Sequence, residues 1–463
     1  MTISQQWAEY AVNLTFEDLS PEAIAVAKMF LFDSLGCALG GSKTEDFHIL
    51  EETFRQIGGR SECSVIGSNL KTDVRSASLI NGLAIRALDY NDVYWKQDPS
   101  HPSDLLPAAF CVGERENLSG KDLLVAIVLA YELEMRLMEA AFPGIRELGL
   151  HHATLTAFVS PIVAGKMLGL NAEQITNAIG ICGSHNVTLG AVTAGTLTMM
   201  KNTVDPLATE SGVFAALIAK KGYKGPTPIF EGREGLFEAI GEDWKPEVLT
   251  DCLDSKKFKI VGCSIKPFPC EALTHAPISA VLDLVTEHDL QPEQIETIEI
   301  YTLQRAAEIL ADEKKYIIDS RETADHSLPY CIAAAVVNRE LTPKQFSPEA
   351  LKNQTILANV PKVRAVLEPS FEKRFPAEQP CKVVIKTTHG NEFEKERAFP
   401  KGDPRDQLTT NELMRKFTVL AEGILSETRQ TEVFETIQNL ESVEKIGDLM
   451  KLLTVQEIAK AET

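Results

Sequence analysis

The sequence predicts a mainly α fold with an α+β second domain: a large all-helical domain, discontinuous along the chain, carrying a smaller inserted α+β lid. Three observations lead there. Residues 1 to about 262 set apolar side chains at helical spacing, with no strand-helix alternation and no Gly-rich phosphate loop. After Phe258 the pattern turns to strand periodicity, and beyond Pro404 amphipathic helices resume to about residue 460 without a strand signal. The expected boundaries are 1–262 and 405–463 for the helical domain and 263–404 for the lid.

The first helix opens at Ser20-Pro21-Glu22, a cap followed by Pro at the first position, and carries Ile24, Ala27, Phe30, Leu31 and Leu35 before Gly40-Gly41 stops it. Ser76 to Leu88 is small and apolar and reads as a buried helix. Lys121 to Met138 and Leu155 to Leu168 repeat the helical pattern, the second closing at Gly169. Asn171-Ala172-Glu173-Gln174 opens another helix, and Thr209 to Lys220 forms a further one ending near Gly222. Gly, Ala and Ser are frequent in these runs, as closely packed helices require. In the lid, Gln294 to Thr302 alternates apolar and polar and predicts a strand with one buried face. Cys381 to Thr388, the turn His389-Gly390-Asn391 and Glu392 to Ala398 predict a hairpin, with helices at Ala272 to Glu287 and Pro329 to Val337.

The 463 residues suffice for two or three domains, and 44% hydrophobic with 24% charged residues is ordinary for a globular chain. With 46 basic against 66 acidic groups the formal charge is −20, a field that repels nucleic acid and anionic membrane surfaces, so neither is expected as a partner. It repels a tricarboxylate too; such a substrate needs a local cluster of Lys, Arg or His. Nine cysteines, scattered, odd in number and without a Cys-x-x-Cys pair, argue against a disulfide framework and an iron–sulfur cluster, and for a reducing compartment. The first ten residues carry neither a basic nor an apolar leader region, and no run of about 18 uncharged apolar residues occurs. A cytoplasmic location is the expectation.

The densest polar feature is Asp89-Tyr90-Asn91-Asp92 followed by His101-Pro102-Ser103-Asp104, two acids and an imidazole placed where the buried helix ends. Functional groups are often held this way, on a loop fixed by a rigid scaffold. The plainer alternative is an Asp after a helix and a surface His-Pro turn. His151-His152 stand at a helix start, where imidazoles can also cap or face water. Lys201 ends the uncharged stretch Val187 to Met200, either as a solvated end or as a charge on a pocket floor. Lys266 lies in Ile265-Lys266-Pro267-Phe268-Pro269, whose prolines restrict where its ammonium can go. Cys270 reads as a packing residue. Asp325-His326 and Tyr330 begin a lid helix behind Arg321-Glu322-Thr323, which could be a plain cap. No His-x-x-x-His or His-Glu-x-x-His spacing supports a metal.

These segments, together with Leu31 to Cys37, Arg321 to Tyr330 and Pro400-Lys401-Gly402-Asp403-Pro404-Arg405, fall in the order seen in one family and span nearly the whole chain. The chain resembles the 2-methylcitrate dehydratase (MmgE/PrpD) family, whose scaffold is similar to that of cis-aconitate decarboxylases and an iminodisuccinate epimerase. The resemblance implies the same two-domain architecture, a homodimer, a small tricarboxylate or dicarboxylate substrate, and neither metal nor organic cofactor. It implies catalytic roles for His101, Asp89, His151 and Tyr330, and substrate contacts for Lys201, Lys266, His326 and Glu271. Glu271 follows Phe268-Pro269-Cys270 where the decarboxylases resemble Lys-x-Phe-Pro-x-His, which leans toward the dehydratases. The expected reaction is dehydration of 2-methylcitrate or a close relative; decarboxylation or epimerisation on the same scaffold is the alternative, and a non-catalytic carboxylate-binding protein a more remote one. In the expected mechanism His101 is the acid/base with its tautomer fixed by Asp89, and His151 or Tyr330 is the complementary group. Lys201 and Lys266 stabilise the developing dianion, in a site between the two domains.

Overall fold

The computed structural model describes residues 1–96, 98–142, 144–194, 197–240 and 243–455; the end of the expected 405–463 segment lies outside these. The helix expected at Ser20 runs Pro21–Gly41, with the Ser20 hydroxyl accepting from the Ala23 N–H. Its length and apolar character would also suit a membrane crossing. Here it is a largely buried strut: Phe32 stacks on Phe417 at 4.3 Å and Asp33 pairs with Lys416 at 2.6 Å. Gly41 touches the backbone of helix Val74–Arg86 so closely that a Cβ would lie 1.9 Å from the Ala84 carbonyl oxygen. The glycines expected to stop this helix therefore also let two helices meet backbone to backbone.

Helices Leu106–Glu116, Gly120–Ala140, Ala153–Met167, Ala172–Gly183 and Met200–Lys220 complete the main bundle. One apolar core joins residues from Ile3 to Ile265 with residues from Leu413 to Leu453, so the chain's end packs back onto its beginning. A second core is built from Phe268 to Ile385 and takes in Val93 and Trp95 from the first segment. Its four-stranded sheet has Val363–Leu367 at one edge, then Ile295–Thr302, Cys381–Thr387 and Glu392–Arg397. The expected hairpin is present with Cys381 opposite Arg397, and Ile298 faces Ile385 antiparallel.

Two strand features were not expected from sequence. Val363–Leu367 pairs in parallel with Ile295–Thr302, Ile298 opposite Val363. It is a short edge strand with only Val363 fully buried, so it lacks the alternation that marks its neighbour. Asp92–Trp95 pairs with Pro99–Ser100 and, across 170 residues of sequence, with Ser264–Ile265. That small sheet ties the loop after Asp89 to the segment that enters the second core.

Candidate active site

Helix Val74–Arg86 ends three residues before Asp89, which adopts a left-handed conformation with φ 49°. Asp tolerates this region better than most residues, at a cost that the surroundings must cover. The surroundings are three cations. Asp89 Oδ1 accepts from Arg86 and, at 2.9 Å, from Lys266 Nζ, while Lys201 Nζ lies 3.5 Å from Oδ2. Burial works against the Asp89 charge, but Lys201, Lys266 and Arg86 hold its carboxyl well below the usual range. Lys266 is saturated, its ammonium also donating to the Asp89 and Cys270 carbonyls at 3.3 Å. Burial pulls it below the usual lysine range. The Lys201 ammonium makes no hydrogen bond among the described residues, only the ion pair with Asp89, and keeps donors to offer.

Sequence reasoning expected Asp89 to fix the His101 tautomer; the structure gives that position to a backbone group. His101 Nδ1 donates to the Asp92 carbonyl at 2.6 Å, so Nε2 is the lone-pair nitrogen. The Asp92 carboxylate is itself engaged by the Ser103 N–H and, at 2.5 Å, its hydroxyl. Burial, with Arg86 and Lys266 nearby, holds His101 well below the usual imidazole value, hence neutral. His151 and His152 precede helix Ala153–Met167. Their ring centroids lie 3.9 Å apart with the planes tilted by 34°, and the His152 ring lies 5.5 Å from that of His101. Asp205, one helical turn beyond Lys201 and on the same face, reaches His152 Nε2 at 3.2 Å and His151 Nδ1 at 4.0 Å.

Arg86, Lys201, Lys266, Asp89, His101, His151, His152, Glu271 and His326 line one cavity of about 150 Å³, with Arg146 and Lys315 beside them. Two larger cavities at the same junction, of about 230 and 450 Å³, contain neither Asp89 nor His101. Tyr330 does not reach this one. Its hydroxyl donates to the Gln345 carbonyl at 2.6 Å and its ring packs on Phe346 inside the second core. Glu271 Oε2 accepts from the Leu273 N–H at 2.7 Å. His326 Nδ1 lies 2.5 Å from Asp325, whose charge survives burial through Lys201 and His326. Cys270 is enclosed, as expected, yet Cys331 and His275 outweigh burial and lower its thiol to about 6.

Among the described residues, His151, His152 and Asp205 are the one grouping whose donor atoms could share an ion. Arg86 Nε stands 3.9 Å from the same carboxylate, and the Ala153 N–H donates to His151 Nδ1 at 3.2 Å. Both occupy the place with groups a cation does not suit.

The MmgE/PrpD N-terminal domain matches residues 5–249 and the MmgE/PrpD C-terminal domain residues 268–442. The chain belongs to the MmgE/PrpD family. Among its relatives are a cis-aconitate decarboxylase-like protein of Aspergillus oryzae, 25% identical over 98% of this chain and 97% of its own, and the human cis-aconitate decarboxylase, 25% identical over 98% and 94%. The 2-methylcitrate dehydratase of Escherichia coli is 25% identical over 84% of this chain and 83% of its own.

The MmgE/PrpD motif Pro400 to Arg405 has a structural task here. Gly402, at φ 89°, accepts from the Ile265 N–H at 3.1 Å, and a Cβ on it would lie 1.9 Å from the Ile265 carbonyl oxygen. It braces the segment that carries Lys266. Lys416, from the chain's last helices, donates to the Tyr90 carbonyl at 2.7 Å and the Lys266 carbonyl at 2.9 Å, so it holds both site-bearing loops. Sequence reasoning missed Arg86, Arg146, Asp205 and Lys416. Arg86 and Asp205 carried a faint signal, each a lone charge in a small apolar helical run; Lys416 on a surface-patterned helix carried none.

Proposed function

We propose that this protein is a lyase that dehydrates 2-methylcitrate or a closely related tricarboxylate to the unsaturated acid. The observation that carries this is a neutral His101, its Nε2 lone pair without a partner among the described residues, lining one cavity with three cations gathered on Asp89. A proton on carbon beside a carboxylate is weakly acidic, so its removal needs cations placed where charge develops. Lys201 suits the reacting carboxylate because its donors are not spent. Lys266 and Arg86 hold Asp89 and supply field. Arg146 and Lys315, which form no ion pair among the described residues, stand at the same cavity and suit a second carboxylate. This local positive charge answers the global −20.

The cytoplasmic, homodimeric setting expected from sequence is proposed with it. All nine cysteines are unpaired, in keeping with a reducing compartment. Decarboxylation of cis-aconitate is the second reading, favoured by relatives that match almost end to end.

Purified protein offered 2-methylcitrate, citrate and cis-aconitate separates the readings. Dehydration raises unsaturated-acid absorbance without carbon dioxide. Carbon dioxide from cis-aconitate moves the assignment to the second reading, and tight binding without turnover of any acid overturns both.

A further inference from the structure

We propose that His152 is the proton donor of this site and that Asp205 is the residue that positions it; the proposal rests on the lyase reading above. Asp205 is completely enclosed, and neither carboxylate oxygen meets a hydrogen-bonding partner among the described residues. A buried carboxylate left without a cation is strongly destabilising. Arg86 cannot meet the need alone, because it is already bonded to Asp89 and stands 3.9 Å from both Asp104 and Asp205. The nearest atom that can carry a balancing proton is His152 Nε2, at 3.2 Å. Although burial works against its charge, His152, His151 and Arg86 hold the Asp205 carboxyl far below its usual range, while burial and Asp205 itself push Asp104 far above.

The three imidazoles are thereby told apart. His101 spends Nδ1–H on the Asp92 carbonyl, and His151 Nδ1 accepts from the Ala153 N–H. Burial keeps both well below the usual imidazole value. Of these three, His152 has the closest carboxylate, Asp205 at 3.2 Å against 4.0 Å from His151, and its Nε2 has no other partner among the described residues; the cavity's fourth imidazole, His326, is already committed to Asp325 at 2.5 Å. The other groups around His152 are His101, His151, Arg86, Arg146 and Asp98, and the Asp98 carboxyl is occupied by the Ile145 N–H at 2.7 Å. A neutral imidazole beside one that faces a buried carboxylate is the arrangement that an acid–base pair needs. All three imidazoles line the cavity.

The step then balances. His101 Nε2 takes the proton from carbon, and the electron pair passes into the adjacent carboxylate. The pair then returns to form the carbon–carbon double bond as the carbon–oxygen bond on the neighbouring carbon breaks; the departing oxygen keeps that bond's pair, takes the proton of His152 and leaves as water. His101 ends protonated and His152 neutral, and exchange with solvent restores both. In a decarboxylation the same group would protonate the carbanion left by carbon dioxide.

Three variants test this in H2O and D2O. His152→Gln should lose on the order of 10²–10⁴ in kcat while binding a tricarboxylate inhibitor within roughly threefold of wild type. It should still exchange the substrate's carbon-bound proton with D2O, because the base is intact; His101→Asn should lose exchange as well. Asp205→Asn should move the alkaline limb of the pH–rate profile about one unit lower, which a merely structural defect would not do. A His152→Gln enzyme keeping more than a tenth of wild-type kcat overturns the proposal, as does an Asp205→Asn limb superposed on the wild-type one. Should Asp205→Asn fail to fold, the His152→Gln exchange result decides alone. A wild type inactive on every acid overturns the lyase reading and this proposal with it; an active wild type with unaffected variants overturns this proposal only.

Discussion

Asp89 works as a charge rather than as the orienting partner of His101. Its carboxylate gathers Arg86, Lys201 and Lys266 in one place, and without it three buried cations would repel one another. The two lysines that looked alike in sequence are consequently unlike. Lys201 has donors to give, whereas Lys266 is bonded to Asp89 and to the Cys270 carbonyl. Lys201→Ala should weaken a tricarboxylate inhibitor by roughly 30-fold or more, in line with the about 2–5 kcal/mol that loss of a desolvated charge partner costs. Lys266→Ala should bind the inhibitor nearer wild type and lose thermal stability as well, since its removal leaves part of the Asp89 charge unmatched. Isothermal titration and thermal unfolding of both variants check this; equal affinity losses with unchanged stability would mean that Lys266 is also a direct clamp.

At the scale of elements, the site is a junction of ends. Helix Val74–Arg86 stops just before Asp89, helix Met200–Lys220 carries Lys201 in its first turn, and helix Ala153–Met167 begins just after His152. The late helix Thr410–Ala421 joins the loop after the first of these to the Lys266 segment through Lys416, whose ammonium pairs with the Asp33 carboxylate and donates to the carbonyls of Tyr90 and Lys266. From the other core, Arg321 donates to the Ala87 carbonyl at 3.1 Å. Removing one partner of such a buried pair strands the other, at about 3–5 kcal/mol. Lys416→Met should destabilise the protein by that order in urea unfolding, and Asp33→Asn added to it should restore part of the loss. An additive double variant would show that the pair carries no coupling.

For the whole molecule, buried acids of opposite bias shape the dependence of stability on pH. Asp89, Asp205 and Asp325 have folded values below their unfolded ones, so their contribution is present above about pH 4 and lost as pH falls further. Burial raises Asp92 to about 6 and Glu134 to about 7. Glu134 accepts from the Ser100 and Thr156 hydroxyls at 2.7 and 2.8 Å, which does not offset its enclosure. For these two the contribution is complete below about pH 4 and has gone once pH passes their folded values. His101 and His151, held neutral by burial, work the other way and add stability as pH rises to about 6.5, so the part that falls between about pH 4 and about pH 7 is the share of the two raised acids. Glu134→Gln should remove its part of that fall, so that its Tm gains on the wild-type Tm from about pH 4 to about pH 8; a Tm difference independent of pH would contradict the burial account.

The sequence by itself determined the helices, the hairpin and the long lid strand. Their caps and periodicities are local: Ser20-Pro21, the alternation of Gln294 to Thr302, and Asn171 before its helix can each be seen within a dozen residues. It also marked Asp89, His101, Lys201 and Lys266, because a charge in a plain or proline-fixed run stands out. Only the tertiary structure decided what those groups face. Tyr330 sits one helical turn past His326, yet a bond to Gln345 turns its hydroxyl into the second core. His152 was the less promising half of a His-His pair until Asp205, 53 positions along by numbering, arrived beside it. Lys416 meets Tyr90 from 326 residues away. Partners that distant are chosen by which helix faces pack together and by the cost of leaving a buried charge unmatched, and neither quantity is written in any local stretch of chain.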